Sequence, residues 1–157
     1  MHPNVDRVVN AATAAGLTIE VVAFPDGTRT ADDAARAVGC DVAQIVKSLV
    51  FLVADQPVLA LVSGANRLDE RRLADAAGTA RSAVRRADAD QVRAATGFPI
   101  GGVAPLGVSD ALAVYVDEDL LAHDVVWAAA GTPHEVFAVA PGELVAATGG
   151  TVVVLAT

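Results

Sequence analysis

Two apolar runs that lie four residues apart place the strongest constraint on the fold. Residues 48–53 (SLVFLV) and 58–62 (VLALV) consist almost entirely of aliphatic and aromatic side chains, and ADQP at 54–57 separates them. A connection this short joins neighbouring antiparallel strands, so the pattern predicts a β-hairpin buried on at least one face. Because the chain is 54% hydrophobic but only 4% aromatic, we expect a core of Val, Ala, Leu and Ile.

Apolar spacing and end signals predict further elements around this hairpin. Helices are predicted at residues 5–15, 30–38, 67–77, 88–96 and 141–148, with one helical turn at 41–44. Strands are predicted at residues 17–24, 83–86, 113–116, 125–130, 136–139 and 151–155, and Pro25-Asp26-Gly27 predicts a turn after the first of them. Helices and strands do not alternate strictly, which favours an α+β fold with a curved, mixed sheet in one domain over residues 1–157.

Cysteine and histidine content argues against several kinds of site. Cys40 is the single cysteine, so no internal disulfide is possible, and a packed free thiol is more common than a nucleophilic one. His2, His123 and His134 lie far apart, without an HExxH-type spacing. We therefore predict no metal and no cofactor.

The sequence shows no segment typical of a membrane span or a secretion signal. No apolar stretch reaches the roughly 18 residues that cross a bilayer, and residues 1–10 lack the apolar segment of a secretion signal. We expect a cytoplasmic protein without a membrane partner.

The charge of the chain is negative overall but not uniform. A net charge of −8 argues against indiscriminate phosphate binding, yet residues 67–93 hold seven arginines and five acidic residues. This segment is either a solvated helix face with pairs such as Asp69 and Arg72, or a weak nucleic-acid contact.

Lys47 is the residue most suggestive of chemistry. It is the only lysine beside ten arginines, and it interrupts the apolar run IVKSLVF where a buried strand begins. A buried ammonium is unfavourable unless paired, and it fits a small pocket that a guanidinium would not. The alternative is a lysine whose apolar stem lies along the strand end while its charge reaches water.

Two turn segments are candidate binding loops. GFPIGGVAPLG at residues 97–107 holds four glycines and two prolines, so its backbone can approach a ligand closely in a fixed shape. It matches neither GxGxxG nor a Walker loop, and a rigid connection is the alternative. Gly131-Thr132-Pro133-His134 follows the apolar strand VVWAAA and places a histidine at a strand end, where a structural role is the more common one.

The chain resembles the YbaK and prolyl-tRNA-synthetase-associated editing domains over nearly its whole length. The resemblance is carried by IVKSLVF, SGANRLD at residues 63–69, GFPIGGVAPLG and AGTPHEVFAVAPGEL. It implies a barrel-like mixed sheet with surrounding helices, and a free-standing hydrolase that deacylates mischarged aminoacyl-tRNA. The expected partner is the acceptor end of a tRNA, and in several members of the family this is the tRNA for proline. An aminoacyl-tRNA synthetase is a candidate second partner.

The resemblance also assigns roles to residues. Lys47 matches the family's functional lysine, and Gly101 to Pro105 match its GxxxP loop, whose backbone is expected to stabilise the transition state. The expected catalytic positions are Lys47, Gly101 and Gly102. Expected substrate-binding positions are Thr30, Ser48, Val103, Ala104, Pro105, Gly131 and His134, and the tRNA contacts expected from the arginine-rich segment are Arg67, Arg71 and Arg72.

Two other functions remain open from the sequence. The same fold is compatible with a tRNA- or ligand-binding regulatory module that does not hydrolyse anything. A desolvated Lys47 is also compatible with Schiff-base chemistry, for example with pyridoxal phosphate. The amino acid removed, the tRNA and the oligomeric state do not follow from the sequence.

Overall fold

Helices and strands occur in nearly the predicted order in the computed structural model, which describes residues 2–24, 30–109 and 111–157. Helices α1 to α5 are Pro3–Ala14, Ala31–Val38, Glu70–Ala77, Ala89–Thr96 and Pro141–Thr148. Strands β1 to β8 are Val21–Ala23, Val46–Val53, Gln56–Ser63, Val84–Arg86, Ala113–Asp117, Val126–Ala129, Glu135–Val139 and Thr151–Val153. Short 3₁₀ helices occupy Val42–Gln44, Arg81–Ala83 and Glu118–Ala122.

The predicted hairpin is present as β2 and β3, inside a five-stranded sheet of order β4-β2-β3-β5-β8. The two strands pair antiparallel along their full length, beginning with Val46 opposite Ser63. Ala54 and Asp55 form the turn with positive φ angles of 48° and 65°, the backbone handedness that matches the twist of a tight hairpin. Because β3 pairs parallel with β5 and β5 with β8, the sheet is mixed, as predicted.

A second sheet of three strands, in the order β1-β7-β6, is antiparallel throughout. The bridge that joins it to the larger sheet is a parallel contact between Ile45 and Trp127. The α+β class is therefore confirmed, whereas the barrel-like closure is not, because the strands form two separate sheets.

Both faces of the hairpin are buried, each in a different apolar cluster. Val50 and Leu52 belong to the main core, which lies between the two sheets, whereas Phe51 and Val53 face a smaller cluster. Leu73 of α3 is fully buried in that smaller cluster. Alternate side chains of a strand point to opposite faces, so β2 separates two different environments. This separation shapes the candidate site.

Helix ends follow the predicted signals. Gly39, Gly78 and Gly97 cap helix C-termini in the left-handed conformation, as the sequence indicated, and Gly149 does the same after α5. The first strand is shorter than the predicted 17–24, and the turn predicted at Pro25-Asp26-Gly27 lies outside the described residues. Among the described helices, none is long and apolar enough to cross a membrane.

The C-terminal residues pack against the segment before α3. The fully buried Asp117 carboxylate accepts backbone hydrogen bonds from Leu155 (2.7 Å) and Ala156 (3.1 Å). The Leu155 carbonyl in turn accepts a hydrogen bond from the Asp69 amide at 2.7 Å. Asp69 also caps α3 by accepting from the Arg71 amide at 2.9 Å, so α3 begins at residue 70 rather than at the predicted 67. Residues 66–69 are thereby held beside β2.

Candidate active site

A cavity of about 610 Å³ lies where the start of β2 meets the N-terminal end of α2, the glycine loop and the ends of β6 and β7. The described part of its wall is mostly apolar, with one lysine and one arginine. The lining residues are Thr30, Ala31, Ala34, Ile45, Val46, Lys47, Ser48, Leu49, Val50, Arg86, Ala87, Val92, Ile100, Gly101, Val103, Trp127, Ala129, Pro133 and Val136. Five of the predicted site residues therefore surround one space: Thr30, Lys47, Ser48, Gly101 and Val103.

Lys47 is half-buried in this wall, and its ammonium donates a hydrogen bond to the Asn66 carbonyl. The Asn66 side chain is held by a 2.7 Å hydrogen bond to Asp119. Burial lowers the pKa of Lys47, and the nearby charges of Arg86 and Arg67 lower that pKa further. An ammonium has three N–H donors, so the Asn66 contact fixes its position while leaving donors for a ligand.

Ser48 and Thr30 bring hydroxyl groups to the cavity wall, and the two differ in their hydrogen bonding. The Ser48 Oγ is buried and has no hydrogen-bond partner within the described part of the chain. A buried hydroxyl without a partner is unfavourable, and Ser48 lines the cavity, so water or a ligand in the cavity can supply its partner. The Thr30 hydroxyl already accepts a 3.1 Å hydrogen bond from the Asp33 amide as the N-cap of α2.

The glycine loop, residues 97–107, contributes Ile100, Gly101 and Val103 to the cavity lining. Gly101 has a φ of 84°, and a Cβ atom there would meet nothing within 4 Å, so this residue lies at an open edge. The Gly102 amide donates to the Pro99 carbonyl at 2.9 Å and is not free for a ligand. The amides of Ile100, Gly101 and Val103, three residues of the lining, have no acceptor among the described residues. Gly101 and Val103, which belong to the predicted GxxxP loop, are therefore candidate donors to a ligand.

Gly102 brings the glycine loop against the turn at residues 131–134. A Cβ atom at Gly102 would lie 2.8 Å from the Thr132 Cα and carbonyl carbon and 3.0 Å from the Pro133 nitrogen. No side chain fits there, because real Cβ contacts are longer. The contact places Pro133 rather than His134 in the cavity wall.

Several predicted binding residues lie outside the cavity lining. Ala104 and Pro105 are buried, with Ala104 fully enclosed in the main core. Gly131 is buried against Asn4, and His134 is exposed. The His134 amide donates to the Thr132 hydroxyl at 3.1 Å, and its carbonyl accepts from the Phe24 amide at 2.8 Å. These four residues shape the loops that carry the lining residues.

A second cavity of about 700 Å³, here called the cationic groove, lies on the other side of β2. It is lined by Lys47, Leu49, Phe51, Arg67, Leu68, Asp69, Glu70, Arg81, Arg86 and Thr157. Lys47, Leu49 and Arg86 line both spaces. Arg81 pairs with Glu70, whereas Arg67 and Arg86 form no ion pair within the described part of the chain.

The three predicted tRNA contacts separate in the structure. Arg67 lines the cationic groove, but Arg71 and Arg72 are exposed on α3 and do not line it. Arg72 approaches Asp69 at 3.9 Å, the pairing anticipated for a solvated helix face. Arg86 and Arg81 line the groove instead.

Sequence reasoning missed Arg86 and Trp127 as site residues. Both lie on predicted strands, but alternation gives only the face of each strand and not the strand opposite it. Arg86 enters the site because β4 pairs with β2 and ends there, and Trp127 enters through its bridge to Ile45. The described residues contain no group of three or more His, Cys, Asp or Glu side chains arranged to hold a metal ion.

Comparison with known proteins identifies the family of this chain. Residues 25–147 match the family model described as aminoacyl-tRNA editing domain. The chain belongs to this family. The matched segment contains both loops, Lys47 and nearly all of the cationic groove, so the editing-domain resemblance seen in the sequence is confirmed.

Relatives of this editing-domain protein include free-standing chains and parts of larger enzymes. It is 29% identical to the uncharacterized protein YwhH of Bacillus subtilis, over 80% of this chain and 78% of that one. It is 38% identical to the proline–tRNA ligase of Solidesulfovibrio magneticus, over 73% of this chain but only 20% of the ligase. The chain therefore corresponds to one portion of that ligase.

Solved structures share the whole fold. A structure described as a "putative trans-editing enzyme for prolyl tRNA synthetase" is 46% identical, with a TM-score of 0.92 over 100% of this chain and 99% of that chain. A scaffold used for epitope grafting by computational design is 44% identical, with a TM-score of 0.91 over the same shares of the two chains.

Proposed function

We propose that this protein is a trans-editing hydrolase that removes a small, wrongly attached amino acid from an aminoacyl-tRNA, with tRNA for proline as the first candidate. The observation that carries the proposal is one apolar cavity lined by Lys47, Gly101 and Val103, in which the Lys47 ammonium is held by Asn66 and the two amides have no acceptor among the described residues. The similarity to proline–tRNA ligases and to the trans-editing structure supports the choice of tRNA.

The chemistry assigned to this site is hydrolysis of the ester between the amino acid and the terminal ribose. Water attacks the carbonyl carbon, the carbon–oxygen bond to ribose breaks, and the ribose oxygen receives a proton. The negative charge that develops on the carbonyl oxygen is stabilised by fixed N–H donors, here Lys47, Gly101 and Val103. Preorganised donors of this kind contribute most when they are already held in place before the reaction.

Apart from Lys47, which is assigned to transition-state stabilisation, the described residues that line the first cavity offer no general base for this reaction. No residue that lines the first cavity in the described part of the chain is His, Asp, Glu or Cys. A serine without an adjacent base is a weak nucleophile, so Ser48 is assigned to binding. The proton acceptor in the proposed mechanism is therefore water or the neighbouring ribose hydroxyl of the substrate.

The cavity selects its substrate by size and by lack of charge. Ala31, Ala34 and Ala129 contribute small walls, and the described part of the lining carries no carboxylate that would pair with a basic side chain. A second sieve of this kind hydrolyses the small amino acid that a synthetase rejects poorly. The unpaired Ser48 hydroxyl is the polar contact available to the bound aminoacyl group.

A panel of charged tRNAs tests the proposal. We expect the protein to hydrolyse tRNA for proline carrying alanine, serine or cysteine, at least one of them more than tenfold faster than the same tRNA carrying proline, because of the size limit. Loss of radiolabelled amino acid from acid-precipitable tRNA measures the rate. If the protein bound charged tRNA but hydrolysed none of these substrates, the proposed hydrolytic function would be wrong. A regulatory binding module would then be favoured.

The cationic groove is assigned to the phosphates near the acceptor end of the tRNA. It adjoins the first cavity through Lys47 and Arg86, and Arg67 and Arg86 hold charges without a protein counter-ion among the described residues. Clustered cations of this kind bind phosphates in a salt-dependent way. Delivery of the substrate by a bound synthetase stays a prediction.

Arg67 and Arg71 form a matched pair for this assignment, since only Arg67 lines the groove. We expect Arg67→Gln to raise the KM for charged tRNA about fivefold and to reduce the slope of log KM against log salt by about one. Arg71→Gln is expected to change neither quantity by more than twofold. Both variants are measured between about 50 and 200 mM salt. Equal effects of the two substitutions would indicate that general electrostatic attraction, and not a specific contact in the groove, binds the tRNA phosphates.

A further inference from the structure

Arg7 of helix α1 contacts both ends of the glycine loop and is not among the residues that line the cavity. Its guanidinium donates to the carbonyl of Thr96, the last residue of α4, and stacks on the Phe98 ring at 3.9 Å from the centroid. A Cβ atom at Gly97 would lie 2.6 Å from Arg7 Nη1, and one at Gly107 would lie 3.4 Å from Arg7 Cγ. The first and last residues of the loop therefore meet on one side chain.

The position of Arg7 is an unfavourable one for a charge. Burial lowers the pKa of the guanidinium, and Arg7 Nε is buried without a hydrogen-bond partner within the described residues. An apolar side chain of similar volume would fill this space without the desolvation penalty. The guanidinium provides instead a directional bond to Thr96 and a cation–π contact with Phe98.

The same helix also holds the second loop of the site. Asn4 donates from its side chain to the Gly131 carbonyl at 3.0 Å. A Cβ atom at Gly131 would lie 2.9 Å from the Asn4 Cβ and 3.0 Å from Phe98 Cε1. Phe98 is thus packed between Arg7 and Gly131, and the two loops share one support.

We infer that Arg7 is a positioning residue for the reaction, because it sets where the Gly101 and Val103 amides lie relative to the Lys47 ammonium. This inference rests on the proposed hydrolytic function. Helix α1 precedes the segment that matches the family model, which begins at residue 25. The support for the loop therefore comes from outside the matched segment.

Substitutions of Arg7 distinguish a role in positioning the glycine loop from a role in the overall stability of the protein. We expect Arg7→Met to lower kcat for deacylation by about 100-fold, the size of effect that a displacement of about 1 Å produces at a reacting centre. KM for charged tRNA is expected to stay within twofold, because Arg7 does not line the cationic groove. Arg7→Lys keeps a cation and one donor toward Thr96, and is expected to recover kcat to within tenfold of wild type.

Val8→Ala supplies the matched control, because Val8 is the fully buried neighbour in the same helix and belongs to the main core. It is expected to lower thermal stability while leaving kcat within threefold at temperatures where the protein is folded. A kcat for Arg7→Met no lower than that for Val8→Ala would overturn the inference.

Hydrogen exchange gives a readout that does not depend on activity. Arg7→Met is expected to speed amide exchange at residues 97–107 and 131–134 by at least tenfold, whereas Val8→Ala is expected to affect α1 alone. If the wild-type protein hydrolyses no charged tRNA, the proposed function fails, and this exchange pattern still decides whether Arg7 fixes the loops. Unchanged exchange in Arg7→Met would show that it does not.

Discussion

Replacement of Lys47 by methionine is expected to reduce kcat for deacylation about 1000-fold without loss of folding stability. Among the described lining residues, Lys47 carries the only charged donor in the first cavity other than Arg86. Removal of one preorganised donor typically lowers kcat by about 100- to 1000-fold. Methionine keeps the apolar stem of the side chain. It also removes the burial penalty and the repulsion from Arg86 and Arg67 that lower the pKa of Lys47.

The stability of the two proteins should depend differently on pH. A lysine whose pKa is lowered in the folded state binds its proton more weakly there than in the unfolded chain, so wild-type stability rises as pH increases from the lowered pKa to the ordinary one. Lys47→Met lacks this rise. Thermal unfolding of both proteins across the alkaline range measures the difference.

The rate should show the opposite dependence on pH. If the ammonium stabilises the transition state, wild-type kcat falls as pH rises through the lowered pKa of Lys47, after subtraction of spontaneous ester hydrolysis. Lys47→Arg keeps the charge but replaces a compact donor with a wider fork, and is expected to recover less than a tenth of kcat. Activity of Lys47→Met within tenfold of wild type would exclude a catalytic role.

Gly102→Ala is expected to lower kcat by about 100-fold and to destabilise the protein by about 1 to 3 kcal/mol. The added methyl group would lie 2.8 Å from Thr132 backbone atoms, and backbone cannot move aside as a flexible side chain does. The glycine loop and the 131–134 turn must therefore separate, which displaces the Gly101 and Val103 amides.

Gly142→Ala is the control for adding a methyl group elsewhere. Gly142 lies in α5, and a Cβ atom there would meet nothing within 4 Å, so this change is expected to stabilise the helix by about 0.5 kcal/mol with kcat unchanged. Chemical denaturation and single-turnover deacylation measure both variants. Wild-type activity in Gly102→Ala would mean that contact between the two loops is not needed for the reaction.

Local signals predicted most of the fold. The hairpin, the left-handed glycines that end helices, and the cap at Thr30 depend on neighbours within a few residues. The same signals overextended the helix before Gly78, because the pairing of residues 67–69 with the C-terminal residues competes with helix formation. The two-sheet arrangement depends on which strand pairs with which, and periodicity does not contain that information.

The sequence predicted the parts of the candidate site that have an unusual local composition. It did not predict the parts that form where elements distant in sequence meet. The single lysine and the glycine loop marked the cavity, and the structure brings Lys47, Ser48, Gly101 and Val103 to it. Arg86 and Arg7 are two of ten arginines, and nothing local distinguishes them from solvated ones. Only the packing of β4 and α1 gives these two their positions.

Strand β2 also has an evolutionary consequence. Val46, Ser48 and Val50 line the first cavity without lining the groove, whereas Phe51 lines the groove alone. Because these two sets of side chains point to opposite faces of the strand, substitutions in one set can accumulate without altering the other. Evolution can therefore change the shape of the first cavity while the groove is kept. Among the described residues, Lys47, Leu49 and Arg86 line both spaces, so a substitution at one of them would alter the two spaces together.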